Sequence, residues 1–189
     1  MQPLTILLAA PSGTGKSTMA KRLFDDFPQL KFSVSATTRA PRKGESHGVD
    51  YYFLSMESFQ QKIDDGDFIE WEEFYGGTRY GTLRSELVKN TEKGYFTLLD
   101  VDVKGAVRLK SLFDEYCLAL FLRPPSLETL EKRLRNRNTD SETSLKLRLE
   151  RAEEELGYAG QFDHIITNDD LERAYSELKE TVQTFMNSY

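Results

Sequence analysis

The chain has 189 residues, 39% of them hydrophobic and 30% charged, with a formal net charge of -6. That length suits one globular unit with one main core and room for small inserted lobes. The acidic balance speaks against broad binding to nucleic acid or to an anionic membrane, both of which need a basic face, so any positive site must be local. Two histidines and a single cysteine leave too few ligands for a structural zinc site.

Residues 4–10 form a short apolar run between Pro3 and Pro11, the signature of a central parallel strand buried on both faces. From Ala10 to Ser17 the chain then reads A-P-S-G-T-G-K-S, a Walker A phosphate-binding loop set between a strand and a helix. Gly13 and Gly15 let the backbone curl so that its N–H groups face phosphate oxygens. Lys16 is placed to reach the β- and γ-phosphates, and the Ser17 hydroxyl to coordinate Mg2+. Ala10 stands where the pattern has glycine, and the expectation is that it ends the strand at negative φ, which a Cβ tolerates. The loop residues Ala10, Pro11, Ser12, Gly13, Thr14, Gly15, Lys16, Ser17 and Thr18 are therefore candidate ATP-binding residues.

Residues 16–27 read as a helix with Met19, Ala20, Leu23, Phe24 and Phe27 on one face. The stretch 33–82, rich in Gly, Tyr, Asp and Arg, breaks the strand–helix alternation and reads as an inserted lobe. Within it Arg39 and Arg42 flank Pro41, with Gly44 closing a turn. Such a guanidinium pair suits a phosphate monoester, although an isolated R-x-x-R also suits a solvated turn. Tyr51 and Tyr80 could reach the same phosphate or simply pack.

Apolar runs at 95–99 and 116–122 repeat the buried-strand pattern, with a helical Ala106, Val107, Leu109, Leu112, Phe113 series between them. Asp100 and Asp102 follow the first run at its carboxyl end, where ligands bind in open α/β sheets. Asp100 is the expected partner of the Mg2+ shell or of Lys16. Asp102 projects to the same side unless the strand has ended. Glu70 and Asp102 would accept from guanine N1 and N2 better than from adenine, if a purine binds. Residues 126–157 read as a charged helical flap with arginines on one side, followed by a strand over 163–167. A closing helix over 171–186 carries Leu171, Ala174, Tyr175, Leu178, Val182 and Phe185. Strands alternating with helices predict an α/β, three-layer fold around a central parallel sheet. Cys117 lies in an apolar run and reads as a packed thiol of a reducing compartment. With no basic n-region and no run of about eighteen apolar residues, the cytoplasm is the expected location.

The loop A-P-S-G-T-G-K-S, the segment S-V-S-A-T-T-R-A-P-R-K-G-E-x-x-G-x-D-Y-x-F, F-I-E-W, Y-G-T, L-D-V-D and the late N-D-D together resemble guanylate kinases across residues 4–170, in the family's order. The resemblance implies a P-loop NTPase fold and Mg2+-dependent transfer of the γ-phosphoryl of ATP to GMP, and to dGMP, giving ADP and GDP. It implies a core of residues 1–34, 84–125 and 158–189, a GMP lobe of 35–83 and a lid of 126–157. Arg39, Arg42, Tyr51 and Tyr80 would hold the GMP phosphate. Ser35, Glu70, Thr82 and Asp102 would read the guanine. Arg133, Arg137 and Arg148 would meet the ATP phosphates and the transferring group, and Asn168 the adenine region. Lys16, Arg39, Arg137 and Arg148 would be catalytic, with Ser17 and Asp100 toward the metal. No nucleic acid, membrane or obligatory protein partner is implied. Asn138 departs from the family's usual lid glycine, and G-G-T-R makes a longer, more basic approach to Tyr80. A scaffold-type phosphopeptide module and a kinase of sugar phosphates are the competing readings, and the intact G-T-G-K-S and the set Glu70, Thr82 and Asp102 speak against each in turn.

Overall fold

A computed structural model describes residues 2–73, 76–136 and 142–189. Its main sheet is built from β1 (Thr5–Ala9), β2 (Leu30–Phe32), β7 (Phe96–Leu99), β8 (Cys117–Arg123) and β9 (His164–Thr167). All pairs are parallel, in the order β2-β7-β1-β8-β9. β1 is central, and every one of its residues is buried. Successive side chains of a strand point to opposite faces, so β1 feeds two cores. Ile6 and Leu8 pack with α1 (Lys16–Asp26) and α7 (Leu171–Met186). Leu7 and Ala9 pack with α3 (Arg84–Glu92) and α4 (Val103–Phe113) on the other face. The three-layer fold predicted from the alternation of elements is the one observed. Each fully buried Leu or Ile in these layers contributes about 1.5–3 kcal/mol.

A second sheet lies in the insertion, in the order β4-β3-β6-β5. Its strands are β3 (Ala36–Thr37), β4 (Tyr52–Phe53), β5 (Phe68–Glu73) and β6 (Arg79–Leu83), and α2 (Met56–Asp64) covers it. The small core of this lobe stacks Phe59 on Phe68, ring centroids 4.4 Å apart, beside Ala36 and Leu83. Glu86 of α3, 5% exposed, ties the lobe to the main sheet by accepting from Tyr52 Oη at 3.0 Å and from the Val34 amide at 3.4 Å.

α5 (Leu127–Arg135) and α6 (Glu142–Leu156) form the charged flap around Leu130, Leu134, Leu145 and Ala152. Two details differ from the sequence pattern. Leu112, expected on the packed face of α4, is 60% exposed, and Leu171 is 38% exposed while Met186 takes a buried place at the end of α7. Both exposed leucines sit near helix ends, where the apolar stripe has begun to leave the core.

Candidate functional site

β1 stops at Ala9, and the chain turns at once into the glycine-rich loop. Ala10 does not adopt positive φ, as expected, whereas Gly13 and Gly15 do, at 93° and 102°. Thr14 locks the turn by donating both its amide, at 3.2 Å, and its hydroxyl, at 2.7 Å, to the Pro11 carbonyl. Gly15 is the left-handed residue immediately before α1, and no side chain caps that helix. Its first-turn N–H groups are thus left for an anion. The loop has no room behind it: a Cβ on Gly13 would meet Leu134 of α5 at 2.8 Å, and one on Gly15 would meet Asn168 Nδ2 at 2.6 Å.

Lys16, the first residue of α1, forms an ion pair with Asp100 and lies 3.5 Å from the Val101 carbonyl. Asp100 comes directly after β7, beside β1 in the sheet. The strand has ended by Asp102, which instead caps α4 by accepting from the Gly105 amide at 2.9 Å. The loop after β1 and the end of β7 therefore meet at the carboxyl edge of the sheet. The connection leaving β1 runs through α1 to β2 on one side, whereas that leaving its neighbour β7 runs through α4 to β8 on the other, and the two strands part at the crevice where open α/β sheets hold ligands.

The inserted lobe forms the facing wall. Arg39 stacks over the Tyr51 ring at 5.0 Å and the Phe53 ring at 5.6 Å. Tyr51 meets Tyr80 edge to face at 5.9 Å, and burial raises the Tyr51 hydroxyl's pKa. Glu70 of β5 accepts from Thr82 Oγ1 at 2.7 Å across the β5–β6 pair. Burial raises the Glu70 pKa, the Thr82 hydrogen bond and the Arg108 guanidinium lower it, and the Asp102 charge raises it again. Gly81 is the residue of β6 where Phe68 comes close, since a Cβ there would lie 2.7 Å from its ring.

Across the top runs α6. Arg148 Nη1 donates to Ser12 Oγ at 3.2 Å, joining the flap to the loop. Arg151 pairs with Glu155 at 2.8 Å, and burial raises the Glu155 pKa. The arginines of the flap divide between faces. Arg135 turns away to Glu131 and Glu142, at 2.8 and 2.5 Å, and Arg133 donates to the Asn168 carbonyl at 2.9 Å. Arg137 and Asn138 lie outside the described residues.

These walls enclose a cleft of about 800 Å³. It brings together most of the residues singled out from the sequence: the loop from Ala10 to Thr18 apart from Thr14, then Asp100 and Asp102, and Ser35, Arg39, Arg42, Tyr51, Glu70 and Tyr80, with Arg148 from the flap. Thr14, Thr82, Arg133 and Asn168 do not line it. Thr82 is buried behind Glu70, and Asn168 is buried beneath the loop, its Nδ2 donating to the Thr14 carbonyl at 2.7 Å. Glu72, Thr78, Arg151 and Glu155 line the cleft without having been foreseen. Alternation along β5 could have shown Glu72 on the side of Glu70, and helical spacing could have shown Glu155 one turn from Arg151.

Comparison with known proteins agrees with this geometry. The family model described as guanylate kinase matches residues 2–185. A guanylate kinase of Chlorobium luteolum is 49% identical over 97% of this chain and 92% of its own length. One of Salinibacter ruber is 48% identical over 97% of each. The crystal structure of guanylate kinase from Anaplasma phagocytophilum superposes with a TM-score of 0.77 at 33% identity, covering 97% of this chain and 86% of that one. With a family match over nearly its whole length, laid on a cleft that joins a phosphate loop to an arginine- and glutamate-bearing lobe, this chain belongs to the guanylate kinase family.

Proposed function

We propose that the chain transfers the γ-phosphoryl of ATP to GMP, and to dGMP, giving ADP and GDP, with three working parts. Residues 1–34, 84–125 and 158–189 hold ATP, 35–83 hold the acceptor, and 126–157 close over both. The observation that carries this is a single cleft in which Glu70, a largely buried carboxylate, and the Arg39–Arg42 pair face the glycine-rich loop. Glu70 and Asp102 accept from guanine N1 and N2, donors that adenine does not offer at those positions. Ser35 adds a hydroxyl on the same wall, and Thr82 acts through Glu70.

The reaction is one in-line displacement. A phosphate oxygen of GMP bonds to the γ-phosphorus as the bond from that phosphorus to the bridging oxygen of ADP breaks. Little covalent work falls to the protein, so its contribution is positioning and neutralisation of charge. The loop amides and Lys16 take the β- and γ-phosphates, with Asp100 releasing Lys16 toward them. Arg148, now on Ser12, and Arg137 and Arg133 serve the transferring group and the donor, while Arg39, Arg42, Tyr51 and Tyr80 fix the acceptor phosphate. Closure of lobe and lid excludes water and so suppresses ATP hydrolysis.

Ser17 and Asp100 offer hard oxygen donors at the cleft wall, and among the described residues no group of three or more His, Cys, Asp or Glu could hold a metal by itself. That donor set fits Mg2+ arriving with ATP: Ser17 and Asp100 would hold it, directly or through water, and it would supply neutralisation of phosphate charge. No described helix is long and apolar enough to cross a membrane. The buried free thiol of Cys117, raised to about 12 by burial, suits the reducing cytoplasm we infer for it. A coupled ADP-release assay offering GMP, AMP, CMP and UMP separately tests the assignment. Turnover with GMP alone is expected, and no turnover with any of them in protein that binds ATP overturns it.

A further inference from the structure

The sequence R-A-P-R-K-G-E folds back on itself between Arg39 and Glu45. Gly44 sits at φ 92° with open space around it, and the Glu45 amide donates to the Arg42 carbonyl at 3.1 Å, closing a turn that needs glycine for its backbone angle alone. The turn returns the Glu45 carboxylate to the start of the segment. Oε2 accepts from Arg39 Nη1 at 2.6 Å and from the Arg42 amide at 2.7 Å, and Oε1 accepts from Arg39 Nη2 at 2.7 Å. Arg39 Nη1 also donates to the Ala40 carbonyl at 2.9 Å. The end of the guanidinium is thereby committed. Its remaining edge, carrying Nε–H and the second Nη2 proton, is not taken by Glu45 or Ala40; the Tyr80 hydroxyl also interacts with the guanidinium, and Nε is buried without a hydrogen-bond partner. That edge, with the Tyr80 hydroxyl near it, suits two oxygens of one phosphate.

We propose that Glu45 is a positioning residue for the acceptor phosphate: it turns the Nε–Nη2 edge of Arg39 into the cleft and fixes the Arg42 backbone to the same point. The inference rests on the reading of this wall as the acceptor-phosphate subsite. It has a counter-intuitive sign. A carboxylate beside a phosphate site should repel the ligand, so a purely electrostatic role predicts tighter phosphate binding once Glu45 is neutralised. Orientation predicts the opposite. Ionisation does not complicate the comparison, since the Arg39 hydrogen bonds and the Arg42 amide hold the Glu45 carboxyl down at about 2. The pair is also mostly shielded, with 15% and 19% of the two side chains exposed, so Arg39 left without Glu45 is poorly compensated and free to turn.

The test is calorimetric titration of GMP and of guanosine, which lacks the phosphate, into the full chain and its Glu45→Gln and Glu45→Asp variants. The expected result is a GMP Kd raised about tenfold or more by Glu45→Gln, partly restored by Glu45→Asp, with guanosine affinity unchanged. In an Arg39→Lys background, where no fork remains to orient, Glu45→Gln should add little. Unchanged or tighter GMP binding in Glu45→Gln overturns the proposal, and so does equal weakening of GMP and guanosine, which would mark a collapsed loop. If the unaltered chain itself binds GMP no better than guanosine, the subsite reading fails first, and that failure is visible before any variant is made.

Discussion

Thr82 Oγ1 donates to Glu70 Oε1 at 2.7 Å from a side chain only 1% exposed, so the carboxylate that faces the cleft is oriented by a hydroxyl that does not. The two residues are register partners in β5 and β6, with an irregularity beside them between Phe68 and Glu70. Hydrogen bonds to a charged group contribute about 1.5–3 kcal/mol. Thr82→Val keeps the shape and removes the donor. It should raise the GMP KM about tenfold and leave the ATP KM alone, whereas Thr82→Ser should stay near the parent. Steady-state kinetics with each substrate varied in turn checks this, and an unchanged GMP KM in Thr82→Val would remove Thr82 from the acceptor site.

The pH dependence of acceptor binding follows from the same carboxylate. Burial raises the Glu70 pKa, opposed by Thr82 and by Arg108, whose guanidinium lies 3.9 Å away. Only the ionised form accepts from both guanine donors, so the GMP KM should climb as pH falls from neutral through this raised value. The second ionisation of the GMP phosphate, near pH 6, acts on every variant alike. The ratio of the parent's KM to that of Glu70→Gln therefore isolates the residue, and a ratio that stays flat with pH would contradict the assignment. For stability the sign is reversed. A carboxyl with a raised pKa in the folded state favours folding below its unfolded pKa and loses that contribution as pH rises through the folded value. Glu70→Gln should thus melt higher than the parent at neutral pH and lose the advantage in acid, the usual exchange of stability for a binding group.

Lys16 is held by Asp100 and by the Val101 carbonyl, both beyond the end of β7. Lys16→Met keeps most of the side-chain volume and removes the charge. Turnover should fall by about two to three orders of magnitude, as for loss of one donor to a developing charge, while the melting temperature changes little. Near-normal kcat in that variant would sink the role.

How much of this was legible in the sequence depends on the range of the interactions. The phosphate loop could be read because its needs are local: two left-handed glycines, a strand before and a helix after. β1, β8, β9 and α7 were legible for the same reason, as unbroken or periodic apolar runs. α3 escaped notice because two of its three buried residues, Glu86 and Asn90, are polar. α2 buries Phe59 alone, and β3 and β4 are two residues each, too short for any period. Within the site, residue type was easier to read than direction. Glu70 was visible, but the hydroxyl that orients it depends on strand register. Arg39 was visible, but its partner Glu45 is brought home only by the turn at Gly44.

Asn168 marks the same limit and offers a sharp test. The resemblance puts it near adenine, while its amide is buried under the glycine-rich loop, donating to the Thr14 carbonyl at 2.7 Å beside the one place, Gly15, where a Cβ would collide with it. Arg133 and the Arg123 carbonyl, each at 2.9 Å, hold its backbone. Asn168→Ala leaves the Thr14 carbonyl unsatisfied in a buried place, which costs about 1–3 kcal/mol. A support for the loop should therefore show a lowered melting temperature, together with a raised KM for ATP and for GTP offered as donor alike. A contact to the base alone would leave the melting temperature in place and shift only the preference between the two donors. Thermal unfolding and donor kinetics on this one variant separate those roles, and an unchanged melting temperature would return Asn168 to the base.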